Sequence, residues 1–213
     1  METKTILFDL DGTLTDSGEG IINCALLALD HFGLPLPDRK TMGAFVGPPL
    51  HETFIKFGVP ADKADEAVKV YRSRYIPIGM FENSPYPGVE ELLKTLKDNG
   101  HKLLIATSKP EWMAVDILKH FALAKYFDCI CGATMDTSRT SKEDVIAYLL
   151  EQNGSAENMI MVGDTRYDVT GAKMHNIPCI GVSWGYGSVD EIQVAGAVAI
   201  AHTMDELLEY LEN

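Results

Sequence analysis

Continuous apolar runs alternate with segments of helical spacing along the second half of the chain. The apolar runs lie at residues 102–106, 126–131, 159–162 and 178–182. Such runs are typical of strands that are buried on both faces of a sheet. Between them, segments such as residues 89–99 and 142–152 have the pattern of helices. Because strands and helices alternate, the pattern predicts an α/β fold with a doubly wound parallel sheet.

One more apolar run, Thr5–Phe8, stands near the N-terminus, far from the others in sequence. The segment between it and the next run has helical spacing, and it is interrupted by glycine and proline. Residues 85–88, Pro-Tyr-Pro-Gly, mark the return to the alternating pattern. We therefore predict that residues 1–15 and 86–213 form an α/β core and that residues 16–85 form an inserted helical cap.

Carboxylates and hydroxyls come directly after three of the predicted strands. Asp9 and Asp11 end the N-terminal run. Thr107 and Ser108 follow the next strand of the predicted core, and Asp164 follows a later one. Taken singly, each residue has an ordinary structural explanation, such as helix capping. Ligands of open α/β sheets bind at the carboxyl ends of the strands, however, so the shared position of these residues favours a functional site.

Four motifs of the chain resemble, in order, those of the haloacid dehalogenase-like hydrolases, a superfamily dominated by phosphatases. They are the Asp-Leu-Asp-Gly-Thr sequence at residues 9–13, then Thr107, then Lys142, and finally Gly163 and Asp164 with Asp168. Lys142 is assigned by its position before a helix-like stretch. The resemblance spans the whole chain, and it implies a Rossmann-like core with an inserted cap.

Within that superfamily the chain is similar to the branch of phosphoglycolate phosphatases and 5′-nucleotidases. Residues 86–89, Tyr-Pro-Gly-Val, and residues 46–50, Val-Gly-Pro-Pro-Leu, carry this similarity. Residues 132–142 are closer to the nucleotidase-like members. Many phosphoglycolate phosphatases have Thr-Asn-Lys after the second core strand, whereas this chain has a serine in place of the asparagine, at residue 108.

The resemblance implies a role for each acidic residue. Asp9 would be the nucleophile that forms an aspartyl-phosphate, and Asp11 would protonate the leaving group and then activate water. Asp9, the main-chain carbonyl of Asp11, and Asp164 would hold Mg²⁺, a cation that prefers oxygen ligands. Asp168 would orient Lys142 or a metal-bound water.

The resemblance also implies a phosphate-binding set. Thr107, Lys142 and backbone N–H groups would bind the phosphoryl oxygens, with Ser108 and Lys109 beside Thr107 in the substrate site. Lys109 competes with Lys142 for the catalytic role, because it is close to Thr107 in sequence.

Specificity is expected to come from the cap. Arg72 and Arg74 lie between Tyr71 and Tyr75, and the tyrosines are one helical turn apart, which predicts that they pack on one face. The arginines are about 200° apart around an ideal helix, so we expect at most one of them to bind the substrate. The alternative for each arginine is an ion pair with a cap acid such as Glu66.

The residues leave several functions open. A phosphomutase retains all the core residues, and a non-catalytic phosphate-binding module has the same fold. A signalling receiver domain also combines acids, a threonine and a lysine, but it lacks an inserted cap. Asp11 argues against a dehalogenase, because a halide leaving group needs no acid. We predict a phosphatase for a small phosphate monoester, with phosphoglycolate or a nucleoside 5′-monophosphate as the substrate.

The formal net charge of −13 argues against a nucleic-acid partner, because binding a phosphate backbone needs a basic face. We expect a small phosphorylated metabolite instead. The four cysteines form no C-x-x-C motif, which indicates free thiols in a reducing cytoplasm. The chain has no uncharged apolar run that could span a bilayer, so a cytoplasmic protein without membrane contact is expected. The pattern does not indicate an oligomeric state.

Overall fold

The computed structural model describes residues 2–136, 138–154 and 157–213. Thr137, which belongs to the nucleotidase-like segment at residues 132–142, lies outside the described residues. The chain forms two compact units. Met1–Thr15 with Pro85–Asn213 is called the core here, and Asp16–Ser84 is called the cap.

Strands and helices alternate along the core, whereas the cap is mainly helical. The strands are β1 (Thr5–Phe8), β2 (Thr15–Asp16), β3 (Ser84–Pro85), β4 (Lys102–Pro110), β5 (Cys129–Ala133), β6 (Met159–Gly163), β7 (Cys179–Val182) and β8 (Ala199–Ala201). The α-helices are α1 (Gly18–His31), α2 (Arg39–Met42), α3 (Leu50–Lys56), α4 (Ala64–Tyr75), α5 (Val89–Asp98), α6 (Glu111–His120), α7 (Lys142–Asn153), α8 (Arg166–Met174), α9 (Val189–Ala195) and α10 (Met204–Glu212). Short 3₁₀ turns are Gly43–Phe45, Ala61–Lys63, Gly79–Phe81 and Ala124–Tyr126.

Six strands of the core form one parallel sheet in the order β5-β4-β1-β6-β7-β8. The chain runs from β1 outward through β4 to β5, and it then returns to β6 on the other side of β1. This reversal confirms the predicted α/β fold and places a topological switch point beside β1. Ligands of open parallel sheets bind at the carboxyl ends of the strands at such a point.

The sheet is buried on both faces. Ile6, Leu7 and Phe8 are successive residues of β1, and each is fully buried. Because successive strand side chains point to opposite faces, both faces are covered. Helices α7, α8 and α9 contribute Val145, Val169 and Ile192 to the cluster that contains Leu7.

The strand predicted at residues 126–131 begins later than expected. The chain first makes the 3₁₀ turn at Ala124–Tyr126, and β5 starts only at Cys129. The predicted boundary was wrong because the apolar residues at the end of this turn continue into the apolar run of β5.

The cap has its own aromatic cluster. The rings of Tyr71 and Tyr75 stack with their centroids 5.0 Å apart, and both side chains are buried, as the spacing predicted. Phe54 of α3 meets the edge of Tyr71, and Phe45 in turn meets Phe54. These contacts hold α3 and α4 together.

Composition predicted free thiols, and the structure agrees. Cys24, Cys129, Cys131 and Cys179 are free cysteines. Among the described helices, none combines the length and the apolar character needed to cross a membrane.

Candidate active site

The strand register brings the predicted site residues to one edge of the core sheet. Phe8, the last residue of β1, pairs with Ile105 of β4 and Val162 of β6. Asp9 therefore lies between Ala106 of β4 and Gly163, the last residue of β6. Thr107 follows Ile105 by two residues, and Asp164 follows Val162 by two. All three polar side chains are buried.

Lys142 is held between two carboxylates. Its Nζ lies 2.9 Å from Oδ1 of Asp9 and 2.7 Å from Oδ1 of Asp168. It also donates a hydrogen bond of 2.8 Å to the carbonyl oxygen of Ala106 in β4. Burial alone would lower the pKa of this lysine, but the charges of Asp168 and Asp9 raise it above the ordinary value. The ammonium group is therefore charged at neutral pH.

A capping box places Lys142 at the start of α7. The side chain of Ser141 accepts a hydrogen bond from the N–H of Asp144, and the carboxylate of Asp144 accepts one from the N–H of Ser141. These bonds satisfy orphan N–H groups of the first turn and fix where the helix begins. The first helical residue, Lys142, consequently reaches the carbonyl oxygen of Ala106 in β4.

Asp11 contacts a second buried lysine, Lys109. The Nζ of Lys109 lies 2.8 Å from Oδ2 of Asp11, and both side chains are buried. The backbone N–H of Lys109 donates to Oγ1 of Thr107 at 3.3 Å, which links the pair to the β4 end. Oδ1 of Asp11 is buried and has no hydrogen-bond partner among the described residues. The two lysines that competed for one role on sequence grounds thus contact different aspartates.

Asp164 is packed against the turn that follows β1. Thr13 donates its hydroxyl to Oδ1 of Asp164 at 3.3 Å. Gly12 has a φ of +81°, and a Cβ at this position would lie 2.3 Å from Oδ2 of Asp164. Glycine is therefore required at residue 12 for both reasons. Burial, with the nearby charges of Asp168 and Asp9, raises the pKa of Asp164 to about 8.

Asp168 is fully buried, so it is not the solvated helix residue that isolated acids in first turns usually are. Its Oδ2 accepts hydrogen bonds from the N–H and the hydroxyl of Thr165, which caps α8. Its other oxygen faces Lys142. Burial raises the pKa of Asp168 above the ordinary value although Lys142 opposes this shift. The predicted role of Asp168, to orient Lys142 or a metal-bound water, stays a prediction.

Three carboxylates converge as a candidate metal site. Asp9, Asp164 and Asp168 each offer one oxygen, and these oxygens all lie within 4.8 Å of one another. Lys142 forms ion pairs with two of these three buried acids, Asp9 and Asp168, so negative charge remains in excess, and hard divalent cations prefer such oxygen donors. The donor set therefore fits a divalent cation.

This acidic group differs from the predicted ligand set in one respect. It includes the side chain of Asp168, which was predicted to orient Lys142 or a metal-bound water, whereas the carboxylate of Asp11 faces Lys109. The prediction for Asp11 concerns its main-chain carbonyl, and it stays a prediction. Ser108 is half-buried in β4, and its place in the substrate site also stays a prediction.

The two cap arginines differ in their surroundings. Arg74 donates to both oxygens of Glu82 at 2.6 and 2.7 Å and also to Sγ of Cys24. Glu66 pairs with Lys63 instead. The alternative that Arg74 pairs with a cap acid therefore holds, although the acid is Glu82. Arg72 is half-buried in α4 and stays the candidate for substrate contact.

The sequence reading missed a segment that follows β7. Tyr186 donates its backbone N–H to Oδ2 of Asp164 at 2.8 Å. Gly185 and Gly187 flank it and lie against the same aspartate. Two glycines around an aromatic residue after a buried strand are the available sequence signal, but they do not reveal which residue the backbone approaches.

Known proteins are similar to this chain over most of its length. Residues 6–182 match the family described as haloacid dehalogenase-like hydrolase. The crystal structure of a predicted phosphatase from Clostridium acetobutylicum is 43% identical, with a TM-score of 0.95 and 99% of each chain covered.

Named relatives have different activities. A 5′-nucleotidase of Pseudomonas aeruginosa is 41% identical, covering 98% of this chain and 95% of that protein. The tyrosine-protein kinase PtkA of Mycobacterium tuberculosis is 43% identical, covering 98% and 72%. A phosphoglycolate phosphatase of Caulobacter vibrioides is 31% identical, covering 93% and 86%. Together with the match over residues 6–182, these similarities show that the chain belongs to the haloacid dehalogenase-like hydrolase family.

Proposed function

We propose that this protein is a Mg²⁺-dependent phosphatase that hydrolyses a small phosphate monoester, preferentially a nucleoside 5′-monophosphate, through an aspartyl-phosphate on Asp9. The observation that carries the proposal is the separation of the two buried aspartates. Asp9 contacts Lys142, and Asp11 contacts Lys109, at the switch point of the sheet. One carboxylate is therefore available as nucleophile while the other transfers protons.

Asp9 performs the first step. A carboxylate oxygen of Asp9 attacks phosphorus, and the bond between phosphorus and the ester oxygen breaks. Oδ1 of Asp9 accepts a hydrogen bond of 2.7 Å from the N–H of Leu10 and contacts Lys142, so the carboxylate is fixed in orientation. Lys142 and Thr107 supply donors for the phosphoryl oxygens, where negative charge must be stabilised.

Asp11 moves the protons. It donates one to the departing alkoxide, and the ionised carboxylate then takes one from the water that attacks the aspartyl-phosphate. That second attack releases inorganic phosphate and restores Asp9. The buried Oδ1 of Asp11, which has no partner in the described part of the chain, is the atom suited to this exchange.

Asp9, Asp164 and the neighbouring Asp168 are the side chains that would hold Mg²⁺ or its bound water. When bound, the ion supplies positive charge that offsets repulsion between the carboxylates and the anionic substrate. Thr13 and the N–H of Tyr186 fix the orientation of Asp164 for this purpose.

The choice of a nucleotide substrate is supported by the 5′-nucleotidase relative, which is more similar to this chain than the phosphoglycolate phosphatase is. In our proposal Arg72 of the cap contacts the leaving group. A guanidinium can stack on a base or grip a carboxylate, so it suits either substrate class.

Phosphate release from a panel of substrates tests the proposal. Nucleoside 5′-monophosphates, phosphoglycolate, sugar phosphates and p-nitrophenyl phosphate are compared at equal concentration with Mg²⁺, with Ca²⁺ and with chelator. We expect release with Mg²⁺, little with Ca²⁺ because its looser coordination misplaces the nucleophile, and none with chelator.

Other products would identify the alternatives. Isomerised sugar phosphate without phosphate release would indicate a phosphomutase. Transfer of phosphate from ATP to a tyrosine peptide would indicate the activity that the name PtkA states. Turnover by a metal-free preparation would contradict the proposed role of Mg²⁺.

A further inference from the structure

The segment Ser183, Trp184, Gly185, Tyr186 and Gly187, called the β7 loop here, joins β7 to α9. It lies against the acidic group without contributing an acidic side chain. The N–H of Tyr186 binds Oδ2 of Asp164, as described above. The loop is thus a backbone neighbour of a proposed metal ligand.

Two glycines allow the loop to approach Asp164 this closely. A Cβ on Gly185 would lie 2.3 Å from Oδ2 of Asp164 and 2.4 Å from the carbonyl oxygen of Gly12. A Cβ on Gly187 would lie 1.9 Å from the carbonyl oxygen of Asp164. No side chain can be accommodated at these distances without moving backbone or the carboxylate.

Trp184 connects the loop to the turn that follows β1, at residues 10–14, which is called the β1 turn here. Its indole Nε1–H donates to the carbonyl oxygen of Thr13 at 3.1 Å. The ring also meets Tyr86 edge to face, with centroids 6.4 Å apart. The hydroxyl of Thr13 in turn contacts Asp164. The indole therefore joins the loop that orients Asp164 to the turn that follows Asp9.

The opposite side of the loop is anchored as well. The N–H of Ser183 donates to the carbonyl oxygen of Ala201, and its hydroxyl lies 2.9 Å from Nδ1 of His202. The N–H of His202 donates to Glu206 in α10. The loop is held at its first residue by β8, at its second by the β1 turn, and at its fourth by Asp164.

We infer that Trp184 is a positioning residue for the metal site, because it fixes the β7 loop against the β1 turn and so sets Asp164 relative to Asp9. Without the indole bond, the loop and the carboxylate that it holds are free to shift relative to Asp9. The affinity for the divalent cation then falls. This inference rests on the proposed metal site and not on the proposed substrate.

The test compares the two tryptophans of the chain. Trp184→Phe keeps a ring and removes the N–H donor, and Trp112→Phe makes the same change on exposed Trp112 of α6. Binding of MgCl₂ to each metal-free protein is measured by titration calorimetry. We expect Trp184→Phe to raise the Kd for Mg²⁺ about threefold to tenfold, the range for one lost hydrogen bond, and Trp112→Phe to leave it unchanged.

A second variant changes the contact between the β7 loop and Asp164 at Gly185. Gly185→Ala places a methyl group against Asp164, so we expect a larger rise in Kd than for Trp184→Phe. If Gly185→Ala does not fold, Trp184→Phe still decides. A folded Trp184→Phe protein with the Kd of the wild type, or a fall in Tm without a change in Kd, would overturn the inference. Weakened Mg²⁺ binding by Trp184→Phe in a protein that hydrolyses no monoester would support it and contradict the proposed function.

Discussion

Asp9 and Asp11 are two residues apart, yet each faces a different buried lysine. Lys109 follows Thr107 on the same strand, so its contact with Asp11 depends on the pairing of β1 and β4. Lys142 reaches Asp9 from the start of a helix that is distant in sequence. A sequence alone presents two candidate lysines, and only the register and the capping of α7 assign each to its acid.

The first expected outcome concerns the nucleophile. Asp9→Asn should abolish phosphate release, because an amide is a poor nucleophile. The fold should persist, since the amide keeps the shape of the side chain and Lys142 retains its contact with Asp168. Activity is measured by phosphate release and folding by circular dichroism. Near-normal turnover by the folded variant would exclude the aspartyl-phosphate mechanism.

The two lysines should be separable by mutation. Lys142→Ala should lower kcat by about 10²–10³-fold, the scale for loss of one preorganised donor, and it leaves Asp9 and Asp168 without their cation. Lys109→Ala should act through the position of Asp11, so it should be less harmful with p-nitrophenyl phosphate, whose leaving group needs little protonation, than with a nucleoside 5′-monophosphate. An equal loss of kcat for both variants with both substrates would contradict this division.

The raised pKa of Asp164, about 8, makes the metal-free protein sensitive to pH. An unfolded aspartate has a pKa of about 3.9, so between these values the folded state holds a proton that the unfolded state has released. Stability of the metal-free protein should therefore fall as pH rises and level off above about pH 8. We expect Tm to decrease between about pH 6 and pH 8.

Mg²⁺ and mutation separate this effect from other titrations. Protons compete with the ion for Asp164, so added Mg²⁺ should raise Tm more at the upper end of that range. Asp164→Asn should lose most of the slope of Tm against pH. A slope unchanged in the variant would show that other groups produce it.

At the scale of elements, the hydrophobic periodicity of the sequence predicted the buried strands and the helices between them. Buried strands are continuous apolar runs, and their carboxyl ends meet at one edge, so Asp9, Thr107 and Asp164 could be placed together before any contact was known. The β7 loop could not be found this way. Its contacts with Gly12 and Asp164 are made by backbone atoms, at glycines that have no side chain, and such contacts leave no periodic pattern in the sequence.

Helix α4 of the cap offers a matched pair of variants. Arg74 is engaged by Glu82, whereas Arg72 is the proposed substrate contact. Arg72→Ala should raise KM for the preferred substrate far more than for p-nitrophenyl phosphate, because the core chemistry is unchanged. Arg74→Ala should lower Tm and leave the ratio of kcat/KM values for the two substrates as in the wild type. If Arg72→Ala leaves that ratio unchanged, specificity lies elsewhere in the cap.

At the scale of the whole molecule, the helical insertion was visible as a long interval between the first two core strands. Composition also limited the class of partner, since the chain carries a formal charge of −13. The same charge has a consequence for catalysis. A phosphate monoester is anionic, so the overall field opposes its approach, and the lysines act only at close range.

Ionic strength should therefore affect the rate in a defined direction. Repulsion between the chain and the substrate is screened as salt shortens the Debye length, which is about 10 Å at 0.1 M. We expect kcat/KM for p-nitrophenyl phosphate, at saturating Mg²⁺, to rise as KCl is increased, while kcat changes little. Choline chloride should give the same result, because the effect depends on ionic strength and not on K⁺. A fall in kcat/KM with both salts would show that Lys142, Lys109 and the bound cation dominate the field that the substrate meets.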